Sequence, residues 1–118
     1  KCIVELPFRK IVKNHLGSVY FGALAIGADT CVGMLAMEHI NESGQKISLI
    51  FKDFKAHFLK RAEGTTLFVC DQGQEISALI ADVIQTQERQ HRTIAAYAEV
   101  QGEKVAEFEL TLSLKVVQ

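Results

Sequence analysis

The stretch Gly22-Ala23-Leu24-Ala25-Ile26-Gly27-Ala28-Asp29-Thr30-Cys31-Val32-Gly33-Met34-Leu35-Ala36-Met37-Glu38 decides how this chain is read. It is apolar almost throughout and has no polar stripe, so it reads as a helix buried in protein on nearly all sides. A membrane span is the competing reading. The run is interrupted by Asp29 and ends at Glu38-His39, short of the ~20 residues a span needs. An aspartate at mid-bilayer would also cost roughly 2.5–3.5 kcal/mol. Glycine and alanine at 22, 23, 25, 27, 28, 33 and 36 make the helix slim. Glycine costs helix propensity but lets another backbone approach closely. A slim, apolar helix suits being wrapped by a sheet.

The segments around it supply that sheet. Residues 2–9 read as a short strand, confined by Pro7 to an edge or an end. Residues 10–21 read as a loop punctuated by Asn14, His15, Gly17 and Ser18. After the helix, residues 46–60 alternate as a strand. The parity changes from Ile47, Leu49 and Phe51 to Phe54, Ala56 and Phe58, which predicts a bulge at Lys52-Asp53. Residues 61–64 turn and 65–71 form a third strand. Ile76, Leu79, Ile80, Val83 and Ile84 recur at helical spacing and predict an amphipathic helix over 74–86. Residues 88–100 and 105–117 alternate again as a long hairpin about a turn at 101–104. The order β-α-β-β-α-β-β with short connections predicts an α+β fold with an antiparallel sheet.

Length and charge bound the function. The 118 residues suit a single domain over 1–118. With 13 basic and 14 acidic residues the net charge is −1, which lacks the basic footprint of a nucleic-acid binder. Three cysteines at 2, 31 and 70 are an odd number without metal-ligand spacing. They argue against a disulfide framework and for a reducing, cytoplasmic setting. No targeting signal is visible. The first residue is Lys1 rather than Met, as expected of a chain that starts inside a longer product.

Asp29 is the most informative residue, because charged side chains are rarely buried without a partner. It either caps a loop or pairs with a cation, or it does chemistry. Its helical stripe of Gly22, Ala25, Ile26, Gly33 and Ala36 leaves room beside the carboxylate. Asn14, Ser18 and Tyr20 precede a helix start whose first N–H groups lack intrahelical partners and can hold an oxyanion. Asp29 lies seven residues from Gly22, roughly 10 Å along the axis. One carbonyl cannot sit beside both in one chain. An antiparallel two-fold dimer could bring Asp29 of one subunit to the helix start of the other.

Residues 14–30 resemble a segment of hotdog-fold thioesterases of the phenylacetate-pathway type. Those proteins carry an Asn, then His-Gly-Gly, then Leu-x-x-x-Ala-Asp-Thr. Asn14, Gly22, Leu24, Ala28, Asp29 and Thr30 match, whereas Tyr20 and Phe21 stand where His and the first Gly are expected. Phe58-Leu59-Lys60-Arg61-Ala62 is similar to the family's Phe-Leu-Arg-Pro-Ala. The helix at 74–86 is similar to a variant in small uncharacterised hotdog proteins. The resemblance implies a hotdog fold and a homodimer or homotetramer that hydrolyses acyl-CoA or acyl carrier protein thioesters, with no further cofactor. Asp29 would be the general base or nucleophile. The N–H of Phe21 or Gly22 would polarise the carbonyl, Asn14 would orient it or the water, and Tyr20 could donate where the family uses imidazole. His15, Ser18, Phe54, Phe58, Lys60 and Arg61 are the candidate substrate contacts, against the plainer readings of Phe54 and Phe58 as core and of His15 as an exposed loop histidine. The wider basic set of Lys52, Lys55, Arg89 and Arg92 could add phosphate contacts, against the plainer reading of a solvated strand face. The alternative function is a non-catalytic acyl-CoA-binding domain.

Cys31 is expected to be a buried inert thiol. His39 is expected beyond the helix's last turn, where the dipole favours a cation. His57 is expected at the surface.

Overall fold

The long hairpin is the centre of the sheet. In the computed structural model, which describes residues 1–6 and 21–117 (only the backbone of Phe21), β4 spans Gln90–Val100 and β5 spans Glu103–Val116. They pair antiparallel from Gln90↔Leu114 to Val100↔Glu103. Gln101 and Gly102, with φ of 51° and 79°, make the two-residue connection. Two consecutive positive φ values fit the right-handed twist of the flanking strands. The strand therefore begins at Glu103, two residues before the expected start. Ala106, Phe108, Leu110, Leu112 and Leu114 face the core as their alternation predicts. Ser113 is also buried, contrary to its outward parity, because Arg89 Nη1 donates to its Oγ at 2.9 Å.

The other strands flank this pair. β1 (Cys2–Leu6), β2 (Ile47–Phe58) and β3 (Thr66–Cys70) complete a five-stranded antiparallel sheet in the order β1-β3-β4-β5-β2. Along β2 the register shifts between Phe51 and Asp53. Lys52 is the extra residue, where the change of parity predicts it. Asp53 Oδ1 accepts from Thr111 Oγ1 at 2.8 Å, and Thr111 meets Thr93 Oγ1 at 3.1 Å, so polar side chains knit the outer face beside the bulge.

Two helices fill the inner face. α2 (Gly73–Thr86) buries Ile76, Leu79, Ile80 and Val83, the positions its period selects, and ends at Gln87 in the left-handed conformation. α1 (Phe21–Ser43) runs five residues beyond the expected end at Glu38. Ile40 is buried on the inner face, whereas Asn41 and Glu42 are exposed on the outer, so the polar residues decorate the helix and do not stop it. It stops where Ser43 Oγ donates to Ile40 O at 2.6 Å and Gly44 takes a φ of 73°. His39 accordingly lies within the helix rather than past its last turn. Its Nδ1 is 3.1 Å from Ser77 Oγ on α2 and 3.9 Å from Glu42, so it ties the two helices together.

The expectation that α1 is buried on nearly all sides is corrected. Leu24, Ala28, Cys31, Val32, Leu35 and Ala36 are buried, while Ile26, Met34 and Met37 are 66%, 57% and 44% exposed. The sheet curls round one side of the helix and leaves the other open between its two edges. Small residues set how close the sheet comes. A Cβ on Gly27 would overlap the fully buried ring of Phe68. Phe68 continues into an aromatic stack through Phe108 (6.2 Å) to Phe54 (5.9 Å) and Phe58 (6.5 Å).

Residues 22–43, with mean hydropathy 1.3, are long and apolar enough to cross a membrane by length and composition. The longer helix removes the sequence argument from length, but half of that window is buried inside the domain. The buried half of the helix supplies the surface that the sheet needs to cover its inner face.

Candidate functional site

The open side of α1 forms the floor of a groove of about 680 Å³. One wall is β1, where Cys2 lines the groove. The other is β2, where Leu49 and Phe51 line it. Among the described residues these strands are the two edges of the sheet, and the groove is the slit between them over the helix. Asp29, Thr30, Gly33, Met34 and Met37 of α1 lie between them. At 100° per residue these five fall within roughly half of the helix circumference.

Asp29 is exposed on this floor, and among the described residues it has no hydrogen bond or ion pair. Both plainer expectations, a cap on the loop at 10–21 and a cation across an interface, involve partners outside the described residues. Gly33, one turn on, leaves its side open to Phe51, and a Cβ built on it would stand 3.7 Å from that ring. Ala36 does not share the open stripe, since it is fully buried. Asp29 thus stands at the border of an apolar surface formed by Ile26, Met34 and Met37, with Glu38 and Lys1 also lining the groove. Exposed apolar patches of this kind mark a surface that binds something. The free edge of β2 runs beside it for 12 residues and carries Ile50, 50% exposed.

The other expected site residues divide into three groups. Asn14, His15, Ser18 and Tyr20 lie outside the described residues, and Phe21 is described by its backbone alone. That backbone is the first residue of α1, so its N–H and that of Gly22 belong to the helix's unpaired first turn. Phe54 and Phe58 do not line the groove with Asp29. They stack on Phe108, half exposed at 39% and 37%. Lys60 pairs with Glu103 and Arg61 is exposed; neither lines the groove.

The wider basic set does not gather into one patch. Arg92 spans Glu75 (3.4 Å) and Asp82 (3.2 Å) on α2, and Arg89 is spent on Ser113. Lys55 lines a separate depression of about 570 Å³ with Lys104, whose Nζ lies 5.0 Å from the Tyr97 ring centre. Glu107, Glu109 and Asp71 in the same depression cancel the charge. His57 is exposed, as its parity predicts.

Sequence reasoning missed Thr30, Met34 and Met37 as companions of Asp29. Their positions at i+1, i+5 and i+8 place them on the same open half of the helix, but an all-apolar helix does not declare which half is open. It also missed that Cys2, Cys31 and Cys70 converge. Cys2 and Cys70 are direct partners in the β1/β3 ladder. Cys31 Sγ reaches Cys2 O at 3.3 Å and Phe68 O at 3.4 Å. Burial and the neighbouring Cys2 and Cys70 thiols push the Cys31 thiol up to about 12. Burial also raises the Cys70 thiol. Both are therefore neutral near pH 7, as expected of the Cys31 thiol.

Solved structures share this architecture. A Pseudomonas aeruginosa protein, described as of unknown function and a probable thioesterase, superposes with a TM-score of 0.83 at 22% identity, over 98% of this chain and 76% of its own. A Bacillus halodurans protein solved with CoA gives 0.73 at 20%, over 97% and 67%. A Chlorobaculum tepidum protein of unknown function gives 0.81 at 10%, over 96% and 75%. No curated protein matches the chain. At these identities the likeness establishes the fold alone, the hotdog fold. The sequence pattern is more specific: residues 1–114 match the family described as a domain of unknown function, DUF4442, and the chain belongs to that family.

Proposed function

We propose that this protein hydrolyses acyl thioesters of coenzyme A or acyl carrier protein, with Asp29 as the catalytic carboxylate at an interface between two copies of the chain. The observation that carries the reading is Asp29 itself, a carboxylate with no hydrogen bond or ion pair among the described residues, at the border of the apolar groove on α1. An apolar floor suits an acyl group, and a carboxylate beside it can take a proton from water as that water attacks the thioester carbonyl. Carbonyl addition followed by loss of the thiol then yields the free acid and CoA-SH or carrier thiol. The developing oxyanion would be met by the N–H groups of Phe21 and Gly22 at the helix start.

The separation within one helix argues for two subunits. From Asp29 back to Gly22 is roughly 10 Å along the axis, too far for one carbonyl to touch both. The exposed apolar stripe of Ile26, Met34 and Met37 and the free edge of β2 are surfaces that a second copy would cover. Names among the structural neighbours support the class of chemistry: one is called a probable thioesterase and another was solved with CoA. No cofactor beyond the CoA or carrier portion of the substrate enters this reading, and the setting is cytoplasmic. Asn14, Tyr20, His15 and Ser18 remain assigned to the site by resemblance, as carbonyl or water positioners and substrate contacts.

The test is steady-state turnover of an acyl-CoA panel of varied chain length by the wild type and by Asp29→Asn. The variant should lose at least about 100-fold in kcat while it keeps its fold and its CoA affinity. Unchanged turnover in Asp29→Asn would refute the assignment. The second reading, a domain that binds acyl-CoA without hydrolysing it, is favoured by Tyr20-Phe21 in place of His-Gly. It predicts thermal stabilisation by acyl-CoA with no free thiol released, and any Asp29-dependent thiol release excludes it.

A further inference from the structure

The three cysteines are far apart in sequence and the fold gathers them. Cys2 and Cys70 are directly opposed across β1 and β3. Cys2, Val4 and Leu6 turn to the inner face and pack on the core. Cys31 comes up from α1 between those strands, with Sγ on the carbonyls of Cys2 and Phe68. The three differ in access. Cys2 is half-buried and lines the groove that holds Asp29, whereas Cys31 and Cys70 are fully buried. They also differ in orientation. Cys70 Sγ turns to Ala95 O on β4 at 3.6 Å, away from β1, while Cys31 Sγ turns to β1. Among the described residues no three metal-ligating side chains are grouped tightly enough to hold an ion, so thiol oxidation is the chemistry that this cluster suits.

We propose that Cys2 and Cys31 form a peroxide-sensitive pair, oxidised to a disulfide that ties the edge strand β1 to α1 along one wall of the Asp29 groove. Cys2 is the entry point, because a peroxide can reach it from the groove and cannot reach Cys31. Its sulfur attacks hydrogen peroxide and becomes a sulfenic acid, with release of one water. The Cys31 sulfur then attacks the Cys2 sulfur, and its proton leaves with the displaced hydroxide as a second water. The two thiols together give up two electrons and two protons, and the peroxide becomes two waters. Burial keeps peroxide from Cys31, and its Sγ, turned to β1 beside Cys2, leaves it as the resolving partner. A dithiol reductant reverses the step.

The bond would tie residues 29 apart in sequence. The five-residue β1 is an edge strand among the described residues, where its one strand neighbour is β3. Oxidation would fix it to the helix and with it the wall that faces Asp29 across the groove.

The test uses the whole chain. The protein is treated with hydrogen peroxide, unfolded in the presence of N-ethylmaleimide and digested. The expected result is a Cys2–Cys31 linked peptide lighter by two hydrogens, a fall from three alkylated cysteines to one, and recovery of all three after dithiothreitol. Cys70→Ala should keep the link. Cys2→Ser should leave Cys31 fully alkylated. A Cys2–Cys70 link, a Cys2–Cys2 link between chains, over-oxidation of Cys2 with Cys31 still alkylated, or no reaction would each overturn the proposal.

Discussion

Replacing Gly27 and Gly33 by alanine, one at a time, makes the same chemical change on the same helix and should move stability in opposite directions. Both glycines lie inside α1. Alanine there gains about 0.5–1 kcal/mol from helix propensity and from reduced freedom of the unfolded chain. The packing differs. At Gly33 the new methyl would meet Phe51 Cζ at 3.7 Å, ordinary contact on a half-open groove floor, so nothing opposes the gain. At Gly27 it would overlap three atoms of the Phe68 ring. Phe68 is fully buried and stacked on Phe108 at 6.2 Å, so the ring cannot swing aside without moving the aromatic stack. Overpacking a close-packed core costs about 1–3 kcal/mol, and a rigid ring blocked at three atoms belongs at the upper end. Net changes of about +0.5–1 kcal/mol for Gly33→Ala and about −2 kcal/mol for Gly27→Ala follow. For a domain of this size these correspond to shifts in Tm of roughly +3 °C and −8 °C. Urea unfolding at fixed protein concentration is the assay, with the midpoint read at constant slope. A Gly27→Ala protein as stable as wild type would refute the close approach of α1 to β3, and with it the reason for the small residues in the decisive stretch.

Two further effects can be measured on the same curves. Arg92 bridges Glu75 and Asp82 and is 30% exposed. Arg92→Met keeps the stem and removes both partly exposed pairs, so it should cost about 1 kcal/mol at low salt. That cost should shrink in 1 M NaCl, where charges are screened over about 3 Å, and a cost unchanged by salt would point to packing instead. The Cys31 thiol is raised from 9.0 to about 12, chiefly by burial. The folded state therefore holds its proton more tightly than the unfolded chain does. The resulting stability is fully present below about pH 9 and is lost as pH rises from there towards 12. Cys31→Ala should lose less stability than wild type between pH 8 and pH 10, and equal losses would contradict the burial of this thiol.

Much of the fold is legible from one sequence because its periods are strong. The clean alternation of β5, the i, i+3, i+4 pattern of α2 and the change of parity at Lys52 each carry their own geometry. Element ends were less legible. α1 continues past Glu38 because polar residues on an exposed face do not end a helix, and only Gly44 does so. Ser113 is buried because a side chain from the α2–β4 connection, Arg89, reaches back to it. The candidate site was legible in one residue, Asp29, because a lone carboxylate in an apolar run is conspicuous whatever surrounds it. The substrate contacts Phe54, Phe58, Lys60 and Arg61 were assigned by resemblance, and none of them lines the groove with Asp29, since contacts between distant elements leave no local pattern.

By itself, then, the sequence determined the order of the elements, the antiparallel sheet and the presence of one slim helix with a carboxylate, Asp29, inside its apolar run. Local periodicity and backbone sterics suffice for these. Only the tertiary structure decided which half of α1 the sheet covers, because a helix without a polar stripe has no preferred face until the two edges of a curled sheet are set beside it. The same closure brought residues 2, 31 and 70 to one place, and left Asp29 in the slit between β1 and β2 rather than in the core.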